Sequence, residues 1–143
     1  MDKRFWVCGL VMSIAALLLG FIVHGLLLAQ DYAALGAMFR SDDDSRHYMH
    51  WMVLAHVLVG FAMTWIYAQG FSDGRSSSMQ GLRFGLAMAL FSTIPGYLVY
   101  YAVQPLPASL VGKQLVLGTI ATVLLGLLVA WLQPRRKVLA ELP

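Results

Sequence analysis

Four histidines are the residues of this chain best suited to chemistry: His24, His47, His50 and His56. An imidazole can ligate a metal, pass a proton or bond to a backbone carbonyl, and its spacing to other groups decides which. On a helix turning about 100° per residue, His47 and His50 stand roughly 60° apart, whereas His56 lies roughly 180° from the first and 120° from the second. One ion cannot collect all three from one regular helix. His47 and His50, beside Asp42, Asp43 and Asp44, are a candidate pair for a divalent cation at the surface. The plainer reading is an exposed polar segment with no metal.

His24 and His56 make the stronger constellation. Gly9, Ser13, Ala16 and Gly20 recur at helical steps and run on to His24, and His56 is followed by Gly60 and Thr64 in the same way. Both imidazoles therefore sit on the tight-packing face of a helix, and antiparallel packing brings them to similar depth. Two neutral imidazoles inside a bundle suit axial ligation of haem b, with Gly20, Gly25 and Gly60 leaving room for a flat macrocycle. The alternative is structural or proton-relaying: each ring bonds to backbone carbonyls or to Gln and Thr side chains across helices.

Little else in the chain could carry a reaction. Cys8 is the single cysteine, every Asp and Glu falls in a predicted loop or tail, and no nucleophile motif, phosphate loop or paired-acid set is present. Four-span multidrug exporters depend on a glutamate in their first helix, and quinone-linked thiol oxidases on paired cysteines. This chain has neither, and it does not read as an enzyme.

The elements that must hold these residues follow from composition. Of 143 residues 59% are hydrophobic and 12% charged, with a mean hydropathy of +0.71. A soluble domain does not have these values. The apolar runs are long enough for helices that cross a hydrocarbon layer of about 30 Å, which takes about 20 residues each. Four spans are predicted, Phe5–Ala29, Tyr48–Gly70, Leu82–Val103 and Ser109–Leu132, in an up-down four-transmembrane-helix bundle. The first run is too long for a secretion signal and reads as a retained helix. Between the first two spans, residues 30–46 predict a short amphipathic helix on the membrane surface, capped by Asp31 and ended by Asp42 to Asp44.

Small residues mark where helices meet in lipid, because no hydrophobic drive distinguishes a neighbour from a lipid tail. Gly9, Ser13, Gly20, Gly60, Thr64, Gly85, Gly118, Thr122 and Gly126 are the expected packing positions. Pro95 lies inside the third span, where it removes a donor and crowds the carbonyl of Phe91, so a kink is expected near Ser92 and Thr93. Such a kink can shape a pocket lined by Tyr97, Tyr100 and Tyr101, although an outer interfacial belt is the simpler role for three tyrosines near a helix end.

Basic residues fix the expected orientation. Lys3, Arg4, Arg75, Arg83, Arg135, Arg136 and Lys137 fall on one side and Arg40, Arg46 and Lys113 on the other, 7 against 3. Both termini are therefore expected in the cytoplasm. The positive charge is spent at helix ends and leaves no nucleic-acid footprint.

The segments Gly81-Leu82-Arg83-Phe84-Gly85 and Tyr101-Ala102-Val103-Gln104-Pro105-Leu106-Pro107 resemble small uncharacterised four-span bacterial inner-membrane proteins. That resemblance covers mainly the last three spans and implies a fold and an inner-membrane location, with no activity or functional residue. The leading expectation for function is a non-catalytic accessory, scaffold or subunit protein whose tight faces dock a second copy or a larger membrane complex. A small haem- or ligand-binding redox protein using His24 and His56 is the alternative, and a dimeric solute or lipid transporter a third.

Overall fold

In the computed structural model of the chain, residues 3–70 and 76–133 are described. Every regular element among them is helical. Four helices, Lys3–Leu27, Asp43–Gln69, Ser77–Val103 and Ala108–Leu132, are long and apolar enough to cross a membrane. The first comprises α1 (Lys3–Gly20) and a π-helical stretch, Phe21–Leu27. A short α2 (Ala29–Ala33) and a 3-10 turn (Gly36–Met38) lead to α3 (Asp42–Gln69). The third joins α4 (Ser77–Met88), a second π-helical stretch (Ala89–Thr93) and α5 (Ile94–Val103). The fourth is α6 (Ala108–Leu132). Residues 71–75 and 134–143, which carry the basic Arg75, Arg135, Arg136 and Lys137, lie outside the described residues.

Two helices begin earlier than their hydropathy suggests, for the same reason. The side chain of Ser41 accepts a hydrogen bond from the Asp44 amide, and that of Ser76 accepts one from the Met79 amide. Each serine satisfies an amide that a helix start leaves unpaired. Asp43 and Asp44 then fall in the first turn, where negative charge favours the positive end of the helix dipole. The acidic run thus opens the second long helix; it does not end a surface helix. The expected surface helix is itself broken into α2 and the 3-10 turn. Asp31 does not cap α2, whose cap position is Leu28.

Packing divides the chain into two antiparallel hairpins, α1 with α3 and α4 with α6. Gly9 lies under the ring of Phe61, and a Cβ on Gly60 would strike the Ser13 backbone. The Ser13 hydroxyl donates to the Gly9 carbonyl at 2.7 Å, and Thr64 donates to the Gly60 carbonyl at 2.8 Å. In the other hairpin a Cβ on Gly126 would come within 2.6 Å of the Gly85 backbone, and one on Gly85 within 2.7 Å of the Val123 Cα. Backbone meets backbone at these points, which is how apolar helices gain dispersion contact when burial alone gives no advantage.

The hairpins join mainly through α1 and α6. Cys8, Met12 and Ala16 pack with Leu125, Val129 and Ala130, together with Met63 and Tyr67 of α3. A second cluster at the opposite end collects Val23, Leu28, Leu106, Leu110 and Val111. By contrast, α3 and the helix formed by α4 and α5 scarcely touch. The space left between them holds the site.

Candidate functional site

A cleft of about 560 Å3 lies between the two hairpins. Leu58, Val59, Ala62 and Ile66 of α3 form one wall, and Met88, Phe91, Thr93 and Tyr97 the other. Ala16, Gly20, Gly118, Ala121 and Leu125 form its floor, where α1 meets α6. Hydrocarbon dominates this lining, and among the described residues no Lys, Arg, Asp or Glu contributes to it. Both His24 and His56 border the cleft.

Both π-helical stretches border the cleft, the first through Val23 and His24 and the second through Phe91, Ser92 and Thr93. In the first, the Leu28 amide bonds to the Val23 carbonyl, five residues back, at 3.0 Å. The widened turn carries His24. The second stretch ends just before Pro95, which lies at the start of α5. Proline cannot bond back to the Phe91 carbonyl and its ring crowds that oxygen, so the ladder opens where a kink was expected. Extra residues in a helical turn re-aim the side chains beyond it, and such turns are frequent at functional sites. Thr122 donates to the Gly118 carbonyl at 2.9 Å, so the Thr93 hydroxyl is the donor in their 2.8 Å contact. That bond ties the second widened turn to α6.

His24 is the centre of a polar chain. Its Nδ1 is 2.7 Å from the Tyr32 hydroxyl, and its Nε2 is 3.1 Å from the Tyr97 hydroxyl. The Gln114 amide donates to the Tyr32 oxygen at 2.9 Å. Next to Gln114, the Lys113 ammonium donates to both carboxylate oxygens of Asp31, at 2.8 and 2.9 Å. The short α2 is thereby strapped to α6 by two adjacent side chains. Phe39 packs edge-on against the Tyr32 ring, with centroids 5.3 Å apart. Burial pushes the Tyr32 phenol above its ordinary value, with the nearby Asp31 charge adding to the rise and the Gln114 hydrogen bond opposing it.

His56 is held differently. A carbonyl can only accept, so the 2.7 Å contact to the Met52 carbonyl is a donation from Nδ1–H. The other edge of the ring faces α1, where a Cβ on Gly20 would sit 2.6 Å from Nε2. This leaves His56 the tautomer of a ligand-ready imidazole, while both nitrogens of His24 are held by phenols. Axial ligation through His24 would first have to displace Tyr32 or Tyr97.

No protein-family model, curated protein or solved structure matches this chain.

The other sequence-predicted residues separate from the cleft. His47 donates from Nδ1 to the Asp43 carbonyl at 3.0 Å, and the ring of His50 lies against Trp51. Among the described residues, no three His, Cys, Asp or Glu side chains come together to hold a metal ion. The three tyrosines of α5 part company: Tyr97 turns inward against Gly118, while Tyr100 and Tyr101 stay exposed. Tyr32, Lys113 and Gln114 were not expected at the site. One signal for them exists in the sequence, since Lys113 and Gln114 are a polar pair inside an apolar helix and such residues mark functional positions by default.

Proposed function

We propose that this protein binds, without catalysing a reaction, a neutral lipid-like molecule in the cleft between α3 and the α4–α5 helix. The carrying observation is the chemistry of the lining: walls that are mostly hydrocarbon, uncharged polar groups at His24, His56, Ser92, Thr93, Tyr97 and Thr122, and no Lys, Arg, Asp or Glu among the described residues. An apolar tail loses nothing there, and a head with a carbonyl or hydroxyl finds a partner. A phosphate-headed lipid would meet no cation among the described lining residues to offset the loss of water around its charge. A volume of about 560 Å3 lies within the range of small-molecule sites.

In this reading the four long helices cross a bacterial inner membrane up and down, with both termini cytoplasmic. The 7-to-3 distribution of basic residues supports that orientation. The scant contact between α3 and the α4–α5 helix supports entry of the ligand sideways from the bilayer. An accessory role beside a larger complex or a second copy stands on less. The small residues that suggested docking faces, among them Gly60, Gly85 and Gly126, are filled by neighbours within the chain.

The test is saturable binding of two labelled amphipaths, a decyl-substituted benzoquinone and a fatty alcohol, to the protein in nanodiscs. Ala62 faces the cleft and is exposed, so Ala62→Phe fills space without displacing core. At least a tenfold loss of binding in that variant is expected. Equal, non-saturable partitioning of both probes into wild type and variant would refute the reading.

A further inference from the structure

The hydrogen-bond chain through His24 has a direction, and the direction says which head group the cleft accepts. An amide nitrogen only donates, so the Gln114 Nε2 contact fills one lone pair of the Tyr32 oxygen. The Tyr32 hydrogen must then go to an acceptor, and His24 Nδ1 stands 2.7 Å away. A neutral imidazole accepting at Nδ1 carries its proton on Nε2. That proton is donated to the Tyr97 oxygen at 3.1 Å. The Tyr97 hydroxyl hydrogen is left over at the end of the chain, on a side chain that lines the cleft. The opposite direction would load the Tyr32 oxygen with donations from both Gln114 and His24, and would leave the Tyr32 hydrogen without the imidazole as acceptor.

An alcohol oxygen can accept from Tyr97 as well, but it brings a hydrogen of its own that finds both His24 nitrogens already engaged. We infer that the cleft selects a carbonyl-bearing neutral lipid, a quinone or long-chain ketone, whose oxygen accepts from Tyr97. This rests on the proposed binding of a lipid-like molecule and adds its chemical class. Every link in the chain sharpens the next, because each donor that is itself accepting a bond is polarised. Gln114 touches no ligand. It is a positioning residue that fixes the His24 tautomer through Tyr32. Among the described residues, the groups that face His24 are Tyr32 from α2, Tyr97 from α5 and His56 from α3, which also lines the cleft, with Lys113 and Asp31 paired to each other beside Tyr32. Among the described residues no carboxylate bonds to the imidazole to override the direction.

The experiment compares a long-chain methyl ketone with the matching secondary alcohol as competitors for a labelled decyl-benzoquinone in nanodiscs. Wild type is expected to favour the ketone by about 3- to 10-fold, the range of one net hydrogen bond. Tyr97→Phe should abolish the preference. Gln114→Leu should reduce it toward unity while leaving ketone and alcohol both able to bind. Nitrogen NMR of labelled histidine should show His24 neutral and protonated at Nε2, and Gln114→Leu should shift it toward the other tautomer. If Gln114→Leu fails to fold, Tyr32→Phe removes the next link, the hydroxyl that donates to His24 Nδ1, and carries the same expectation. Equal competition, or preference for the alcohol, overturns the inferred direction and leaves the cleft reading standing. Failure of every probe to bind saturably overturns both.

Discussion

At the scale of residues, the informative contrast is between two histidines that the sequence treats alike. Both sit on small-residue faces, yet His56 spends a proton on its own helix and His24 joins two tyrosines from other elements. Helical spacing could show that each ring faces inward. It could not show which partners wait there, because Tyr32 and Tyr97 lie 8 and 73 residues from His24 and Gln114 lies 82 from Tyr32. With both nitrogens of His24 engaged, the purified protein is expected to show no Soret band even with haem supplied. A Soret band lost in His24→Ala would mean that the tyrosines yield to iron. Tyr32 supplies a pH-dependence. Its phenol ionises less readily in the folded chain than in the unfolded one. The unfolded chain therefore sheds this proton first as pH rises, from about pH 10. The contribution of Tyr32 is whole below that pH and lost above it. Circular-dichroism melts should fall more steeply with pH above about 10 in wild type than in Tyr32→Phe, and parallel slopes would contradict the burial.

Elements differ from single residues in how legible they are. The four long helices and their packing faces were plain in the sequence, because a stripe of Gly, Ser and Thr along an apolar helix lets a second backbone come close, and lipid tails gain nothing from such a groove. Their starts were not. Hydropathy placed the second helix at Tyr48 and the third at Leu82, whereas serine caps begin them at Asp42 and Ser77. Capping is decided by one side chain and one amide, a signal that the apolar average of a long window hides. Nor does hydropathy reveal a widened turn: Pro95 hinted at the second, but nothing comparable announced the first around His24. The packing stripes can be tested directly. Gly126→Ala would press its new methyl against the Gly85 backbone, which cannot rotate away. A loss of about 1–3 kcal/mol is expected from such overpacking. Gly112→Ala meets nothing within 4 Å and should be neutral or stabilising by up to about 1 kcal/mol. Thermal melts in detergent would separate the two, and equal losses would mean that α4 and α6 are not in contact at Gly126.

For the whole molecule, two hairpins joined along α1 and α6 predict that each half can assemble by itself. Residues 1–70 and 76–143, expressed as separate chains in one membrane, are expected to co-purify and to bind the benzoquinone probe with affinity close to that of the intact protein. Fragments that never associate would show that the halves need the covalent connection between them. Orientation is tested at the same scale: reporters inserted at Gly36 and at Ser76 should report the outside and the cytoplasm respectively, and the reverse would invert the assignment. The strap from Lys113 and Gln114 to Asp31 and Tyr32 also sets an order of events during synthesis. Its two sides are 82 residues apart in sequence. At about 5–20 residues per second, the ribosome makes them several seconds apart. Tyr32 and His24 must therefore wait in the membrane until the last long helix arrives. A nascent chain holding three of its helices can possess both walls of the cleft, but the direction of its hydrogen bonds is set only when translation reaches Gln114.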